Sequence, residues 1–145
     1  ELMNTEAKQL GATGTHFVNP HGLHDENHYT TTYDLYLMFN EALKDQAFLD
    51  IISMNSYTAK VTSADGTSYT PTWQATNYYS AGEATPPDGI HVYGGKTGTT
   101  DQAGNCVILY EKNTAGEPYI SVIMGASDKP LLYEEMNELL DAGMK

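Results

Sequence analysis

Three strand-like segments follow one another in the last third of the chain, near 91–100, 104–112 and 118–126, and they restrict the fold most strongly. The connection from Asn113 to Glu117 contains Gly116 and is short enough to close a hairpin. The run of Cys, Val, Ile, Leu and Tyr at 106–110 is apolar on both faces, as expected of a central strand. The pattern therefore predicts antiparallel strands with 104–112 in the middle.

Helical patterns occupy the first third of the chain. Residues 1–10 read as the end of a helix that stops at a left-handed Gly11. A second helix begins at Thr31, which forms a capping-box pattern with Asp34, and a third covers about 46–54. The apolar residues expected to face inward are Leu35, Met38, Phe39 and Leu43 in the second helix, and Phe48, Ile51 and Ile52 in the third.

A final helix follows the strands. Pro130 suits its first helical position, and its predicted buried stripe consists of Leu131, Leu132, Met136, Leu139 and Leu140. Helices, then strands, then a helix indicate the α+β class. We expect a single partial domain: a mostly helical segment at 1–54, a hairpin and loop at 55–93, core antiparallel strands at 94–128 and a C-terminal helix at 129–145.

The middle segment has the sequence pattern of a hairpin followed by a loop. Residues 57–73 alternate and are rich in Thr, Tyr and Val, with Asp65-Gly66 at their centre. Residues 74–90 read as a loop that ends in Pro86-Pro87-Asp88-Gly89.

Charge and composition exclude several function classes. The 145 residues include 19 acidic side chains and 7 basic ones, all lysine, for a net charge of −12. Nucleic-acid binding needs a basic surface, so it is set aside, and anionic membranes are disfavoured for the same reason. No apolar run approaches the roughly 20 residues of a membrane span, and no signal peptide is expected. The single Cys106 does not identify the redox compartment.

The glycine-rich run Gly94-Gly95-Lys96-Thr97-Gly98-Thr99-Thr100 is the first candidate for chemistry. It is not a phosphate-binding loop, which requires a glycine five positions before Gly95 and a helix after the motif. Position 90 is Ile, and the predicted element after the motif is a strand. On an edge strand, Lys96 supplies positive charge and Gly98 lets a ligand approach the backbone. These groups suit an extended peptide that ends in a carboxylate. The alternative is that the motif binds nothing and is an edge strand made flexible by its glycines, with a solvated lysine.

Three other groups carry weaker signals. His16, His21, His24 and His28 lie in a turn-rich loop whose spacing matches no common zinc framework, so hydrogen bonding within the loop is favoured over a metal site. No metal or cofactor is expected. Ser53-Met54-Asn55 reads as a helix end with Asn55 near the C-cap, and Cys106 as a buried, inert thiol.

Several motifs in order resemble the serine-type D-alanyl-D-alanine carboxypeptidases, the low-molecular-mass penicillin-binding proteins. They are the blocks Thr15-His16-Phe17-Val18-Asn19-Pro20-His21-Gly22-Leu23, His28-Tyr29-Thr30-Thr31-Thr32-Tyr33-Asp34-Leu35, Gly95-Lys96-Thr97-Gly98-Thr99-Thr100 and Ala103-Gly104-Asn105-Cys106. The resemblance covers nearly the whole chain. It implies a partial penicillin-binding-protein or serine β-lactamase-like fold, in which an antiparallel sheet packs with helices.

The resemblance also implies an activity: removal of the terminal D-alanine from peptidoglycan stem peptides through an acyl-serine intermediate. By this resemblance, Lys96 supplies positive potential and Thr97 donates a hydrogen bond to the substrate carboxylate. Gly98 allows the substrate to approach closely, and the Thr99 N–H is one of two oxyanion-hole donors. Stem peptides and β-lactams would be the ligands of the complete enzyme. The implied location is the bacterial cell envelope, outside the cytoplasm.

One family motif is missing from the 145 residues. The family nucleophile lies in Ser-x-x-Lys, but none of the seven serines here has lysine three positions later. The expectation is a C-terminal segment that lacks the nucleophile and is inactive by itself. Two alternatives are a non-catalytic module that binds wall peptide or protein, and a scaffold that pairs with a separate N-terminal half. The strand at 118–126 is the expected edge for that half or for self-association.

Overall fold

A computed structural model describes residues 1–143 and shows the α+β arrangement of helices, strands and a final helix. Its elements in chain order are α1 (Leu2–Gln9), α2 (Thr32–Ala42), α3 (Gln46–Ile52), β1 (Ser56–Thr58), β2 (Val61–Thr62), β3 (Ser68–Tyr69), β4 (Thr72–Gln74), α4 (Tyr78–Ala81), β5 (Ile90–Thr100), β6 (Gly104–Asn113), β7 (Pro118–Ala126) and α5 (Lys129–Ala142).

The main sheet has the strand order β5-β6-β7, and both pairings are antiparallel. The three strands begin and end within one residue of the predicted positions. Gly116 adopts a φ of +81° in the β6–β7 turn, which the Asn113 N–H closes by donating to the Glu117 carbonyl at 3.1 Å. Val107, Ile108 and Leu109 of β6 are buried, so the prediction of a central strand is confirmed.

Helix α5 packs on one face of this sheet and completes the core. Its N-cap is Asp128, whose carboxylate accepts from the Leu131 N–H at 2.9 Å, and Pro130 is therefore the second helical residue instead of the first. Leu139 was expected in the buried stripe, but it is 41% exposed and Tyr133 is buried in addition. The Tyr133 ring stacks on that of Tyr78 with centroids 4.4 Å apart, and this contact fixes the rotation of the helix. The part of the predicted helix at 144–145 lies outside the described residues.

The short helix α4 lies where the sequence predicted only loop. The Asn77 side chain accepts from the Ser80 N–H at 2.9 Å, and Gly82 ends the helix with a φ of +78°. The Tyr79 hydroxyl donates to Asn137 of α5 at 2.8 Å. Four residues are too few for a helical period to show, so tertiary packing on α5 supports this turn.

The N-terminal helices follow the predicted signals with two corrections. Gly11 has the expected positive φ of +84°, and Thr31 caps α2 by accepting from the Asp34 N–H at 3.1 Å. The buried Asp34 carboxylate does not return the capping bond; it accepts from the Thr15 hydroxyl at 2.7 Å and ties the loop to α2. Helix α3 ends at Ile52, and Ile51 is 65% exposed, so its predicted inward position is wrong.

The predicted hairpin centred on Asp65-Gly66 is present as two short ladders. Strand β1 pairs with β4 and β2 pairs with β3, both antiparallel. Gly66 adopts a φ of +87°, and the Asp65 carboxylate accepts from the Thr67 N–H at 2.9 Å, which lowers the pKa of Asp65. Most of the hairpin's side chains are exposed, so it projects from the body. Within residues 1–143, no helix has the length and apolarity to cross a membrane.

A buried carboxylate lies between the sheet and α5. Glu111 of β6 is 1% exposed, its Oε1 accepts from the Ser121 hydroxyl at 2.5 Å, and its Oε2 has no hydrogen-bond partner among the described residues. Burial raises the pKa of Glu111 from 4.5 to about 7. The folded state therefore binds the Glu111 proton more tightly than the unfolded state does, and stability contributed by the neutral carboxyl is lost as pH rises from about 4.5 through 7.

We expect Glu111→Gln to raise the free energy of unfolding at pH 8 by about 3 kcal/mol, because the amide never ionises. At pH 4 both forms are neutral, so the gain should vanish. Urea unfolding at pH 4, 6 and 8 measures this, with the exposed Glu138→Gln on α5 as the control. An equal gain at pH 4 and pH 8 would exclude ionisation of Glu111 as the cause.

Candidate active site

The Lys-Thr-Gly motif lies on β5, an outer strand of the main sheet. Within residues 1–143, β5 pairs only with β6, where Lys96 lies opposite Ile108 and Thr97 opposite Val107. The other side of an outer strand carries backbone groups that are free to bind an extended ligand. The edge position expected from the sequence is therefore confirmed.

The side chains of this strand point in two directions. The Lys96 ammonium is exposed, forms no ion pair with the described residues and donates to the Thr97 carbonyl. Thr97 is half-buried, with its Oγ1 2.8 Å from Oγ1 of Thr76. The Thr99 hydroxyl donates to the Asn105 side chain at 3.3 Å. Two hydroxyls and an ammonium group thus lie along the four residues 96–99 of this outer strand.

A cavity of about 160 Å³ opens beside Thr97 and Thr99. Lys129, from the first turn of α5, lines it and lies with its Nζ 5.4 Å from the centre of the Tyr78 ring. The other lining residues are Thr76, Asn105, Cys106, Leu132 and Tyr133. Hydroxyl donors together with an ammonium group suit a carboxylate. Sequence reasoning missed Thr76 and Lys129, since only the packing of the loop and of α5 brings them to β5.

The glycines of the motif have different roles. A β-carbon added at Gly98 would meet nothing within 4 Å, so the strand surface there is open. A β-carbon at Gly94 would lie 2.0 Å from the Ile52 carbonyl oxygen, and one at Gly95 would lie 2.1 Å from the Ile108 carbonyl oxygen. Gly94 therefore permits the end of α3 to pack against β5, while Gly98 leaves room for a ligand.

We expect Gly94→Ala to lower the free energy of unfolding by about 3 kcal/mol, because the added methyl group displaces backbone. Gly98→Ala should change stability by less than about 0.5 kcal/mol. Urea unfolding of the two variants beside the parent chain measures both. Equal losses for the two variants would contradict the assignment of separate roles.

The histidine loop is braced by its own imidazoles. His16 Nδ1 lies 2.6 Å from the Asn27 carbonyl oxygen. The Val18 N–H donates to Nδ1 of His28 and the Leu23 N–H to Nδ1 of His21, each at 3.2 Å. In the part of the chain that the structure describes, no three His, Cys, Asp or Glu side chains are grouped to hold a metal ion. The loop-bracing interpretation accounts for three of the four histidines, and His24 is exposed.

Two further expectations, for Cys106 and for Ser53-Met54-Asn55, have different outcomes. Cys106 is half-buried, so the prediction of a buried thiol is wrong: it lies opposite Gly98, which has no side chain to cover it. Cys106 also lines the cavity beside Thr97. Ser53 ends α3 and its hydroxyl donates to the Leu49 carbonyl at 2.7 Å, as a helix-end residue does. Asn55 lies two residues beyond this C-cap, so the interpretation of Ser53-Met54-Asn55 as a helix end is confirmed.

The chain is similar to known peptidases over most of its length. The D-alanyl-D-alanine carboxypeptidase family of peptidases matches residues 1–128. The chain is 27% identical over 142 residues to a D-alanyl-D-alanine carboxypeptidase of Streptomyces sp. strain K15, and 28% identical over 139 residues to the carboxypeptidase DacF of Bacillus subtilis. The crystal structure of the Streptomyces K15 DD-transpeptidase superposes on 98% of the chain at 26% identity with a TM-score of 0.87.

These matches confirm the partial fold that the sequence motifs implied. The match with the Streptomyces relative includes 97% of this chain but only 46% of that relative's sequence. The match with the Bacillus relative includes 33% of that relative's sequence. It thus spans about half or less of the length of these relatives. Since the family match extends over most of the chain, the chain belongs to the D-alanyl-D-alanine carboxypeptidase family.

Proposed function

We propose that residues 1–145 form the Lys-Thr-Gly wall of a serine D-alanyl-D-alanine carboxypeptidase site that trims peptidoglycan stem peptides. The observation that carries this proposal is the alignment of Lys96, Thr97 and the open Gly98 along an outer strand, beside a cavity that Lys129 also lines. The peptidoglycan substrate in turn supports a location in the cell envelope.

In this account the wall binds the end of the peptide. The Thr97 hydroxyl turns from Thr76 to donate to the terminal carboxylate, and Lys129 neutralises that charge from the cavity. Lys96 adds positive potential along the strand, and Gly98 allows the peptide backbone to approach. The Thr99 N–H serves as one of the two oxyanion-hole donors.

The covalent step needs a serine from polypeptide outside these 145 residues. That serine's oxygen attacks the carbonyl carbon of the penultimate D-alanine and gives its proton to a neighbouring base. The C–N bond then breaks, the departing D-alanine nitrogen takes a proton, and an acyl-serine ester remains. Water hydrolyses the ester and restores the serine. β-Lactams would enter by the same acylation and stop at the ester.

The outer strand β7 supports a proposal about where that polypeptide binds. Among residues 1–143, β7 pairs only with β6, and it presents a mostly apolar sequence at 119–124. Unpaired edges of this kind recruit strands. We propose that β7 pairs with a strand outside these residues, or with β7 of a second copy.

A chimera tests the proposed function. The part of the Streptomyces K15 relative that precedes its matched half would be fused to Glu1, and intact-mass spectrometry would follow reaction with benzylpenicillin. We expect one penicilloyl adduct on the supplied serine, and D-alanine release from a D-Ala-D-Ala peptide. A folded chimera that forms no adduct would contradict the proposal.

The same experiment decides a second candidate, a non-catalytic module that binds wall peptide. The observation compatible with it is the Lys-Thr-Gly wall itself, whose carboxylate-binding groups lie on an outer strand beside a cavity. Such a module would bind D-Ala-D-Ala peptides in the chimera without turning them over.

A further inference from the structure

A second binding surface lies at the base of the hairpin, which we call the hairpin groove. It has a volume of about 620 Å³ and is lined by Ile51, Met54, Ser56, Tyr57, Trp73, Gln74 and Ala75. We propose that the hairpin groove binds a neutral carbohydrate chain, with the rings of Tyr57 and Trp73 as its platform.

The aromatic pair is the first reason. Tyr57 and Trp73 lie directly opposite each other in the β1–β4 ladder, with their rings 12° from parallel and their centroids 6.5 Å apart. Each residue is 54% exposed. Two nearly parallel rings, each more than half exposed and held by a strand pair, present an apolar surface with negative π density to solvent. The C–H face of a pyranose ring has the shape and the partial positive charge to pack on such a surface.

The chemistry of the rim is the second reason. Ser56 and Gln74 place a hydroxyl and a carboxamide at the groove, and no charged side chain lines it. These groups match the hydroxyl and acetamido groups of a neutral sugar. The chain's net charge of −12 disfavours an anionic polymer at the same place.

The position of the groove is the third reason. Ala75 lines the groove, and the next residue, Thr76, contacts Thr97 of the Lys-Thr-Gly strand at 2.8 Å. Trp73 is only three residues from Thr76, or about 10 Å along extended backbone. The groove therefore ends one residue along the chain from Thr76, which contacts the proposed peptide-binding wall. The choice of an N-acetylated amino sugar rests on the proposed function, because such sugars carry the stem peptides. The argument for the aromatic platform does not depend on the proposed function.

Trp73 is the chain's one tryptophan, so its fluorescence reports on the groove alone. We would titrate residues 1–145 and the chimera with tetra-N-acetylchitotetraose, a neutral β-linked probe. We expect a saturable change in Trp73 emission in residues 1–145, and saturable binding of the same probe to the chimera by isothermal titration calorimetry. Tyr57→Ser should weaken binding about tenfold or more, since it removes half of the platform and keeps the reporter. Tyr69→Ser is the matched control, because Tyr69 is 52% exposed on β3 of the same hairpin but does not line the groove; its binding should be unchanged.

Three results would overturn the proposal: no saturable response to the sugar, equal loss in both tyrosine variants, or binding by residues 1–145 that disappears in the chimera. The last would show that other polypeptide covers the groove. A response to 8-anilinonaphthalene-1-sulfonate without one to the sugar would indicate a general apolar surface and also contradict it. None of these results bears on penicillin acylation, so failure here leaves the proposed function standing.

Discussion

Incubation of residues 1–145 with excess benzylpenicillin is expected to leave the intact mass of the chain unchanged. Acylation needs a serine oxygen made nucleophilic by a neighbouring base, and no serine here has lysine one helical turn later. The Ser53 hydroxyl, at the end of a helix, already donates a hydrogen bond to the Leu49 carbonyl, and the Ser121 hydroxyl donates one to the Glu111 carboxylate. Without the nucleophile there is no covalent route, so we expect no penicilloyl adduct at all.

The control for this experiment is the chimera under the same conditions, where one adduct is expected. D-Alanine release from a D-Ala-D-Ala peptide should likewise be undetectable with residues 1–145 alone. A stoichiometric adduct that peptide mapping places on any of the seven serines would contradict the account, since it would require a nucleophile of a different kind.

The second large effect is expected from Lys96→Ala in the chimera, where acylation should slow by about 10²–10³-fold. Removal of one preorganised electrostatic group from an acyl-transfer site has effects of this size. Stability should hardly change, because the ammonium is exposed and forms no ion pair with the described residues. Stopped-flow penicillin acylation and urea unfolding measure the two quantities.

Lys60→Ala is the matched control, since it removes the same charge from an exposed position on the hairpin. Its acylation rate should equal that of the parent chimera. Equal slowing in the two variants would indicate a general charge effect, and unchanged acylation in Lys96→Ala would remove Lys96 from the site.

The main sheet was predictable because local signals determined it. Turn residues such as Gly116 mark where strands end, and the apolar run through Val107 and Leu109 identifies the strand buried on both faces. The hairpin around Asp65-Gly66 was predictable for the same reason. These signals depend on a few neighbouring residues, so they survive without knowledge of the tertiary structure.

The errors arise where packing between distant residues decides. Tyr133 is buried and Leu139 exposed because the ring of Tyr78, 55 positions earlier, stacks on Tyr133 and rotates α5. The same docking brings Lys129 beside Thr97. Cys106 is uncovered because its partner across the ladder is Gly98. No periodicity within a single element carries that information.

The most direct test of the central claim is whether the Lys-Thr-Gly strand of residues 1–145 recognises a D-Ala-D-Ala carboxylate. Amide chemical shifts of the ¹⁵N-labelled chain would be followed during titration with Nα,Nε-diacetyl-L-Lys-D-Ala-D-Ala, beside the same peptide with an amidated C-terminus. The account predicts shifts confined to Thr76, 96–100 and Lys129, absent with the amide and lost in Thr97→Val. Shifts elsewhere, or equal shifts with the amidated peptide, would contradict it.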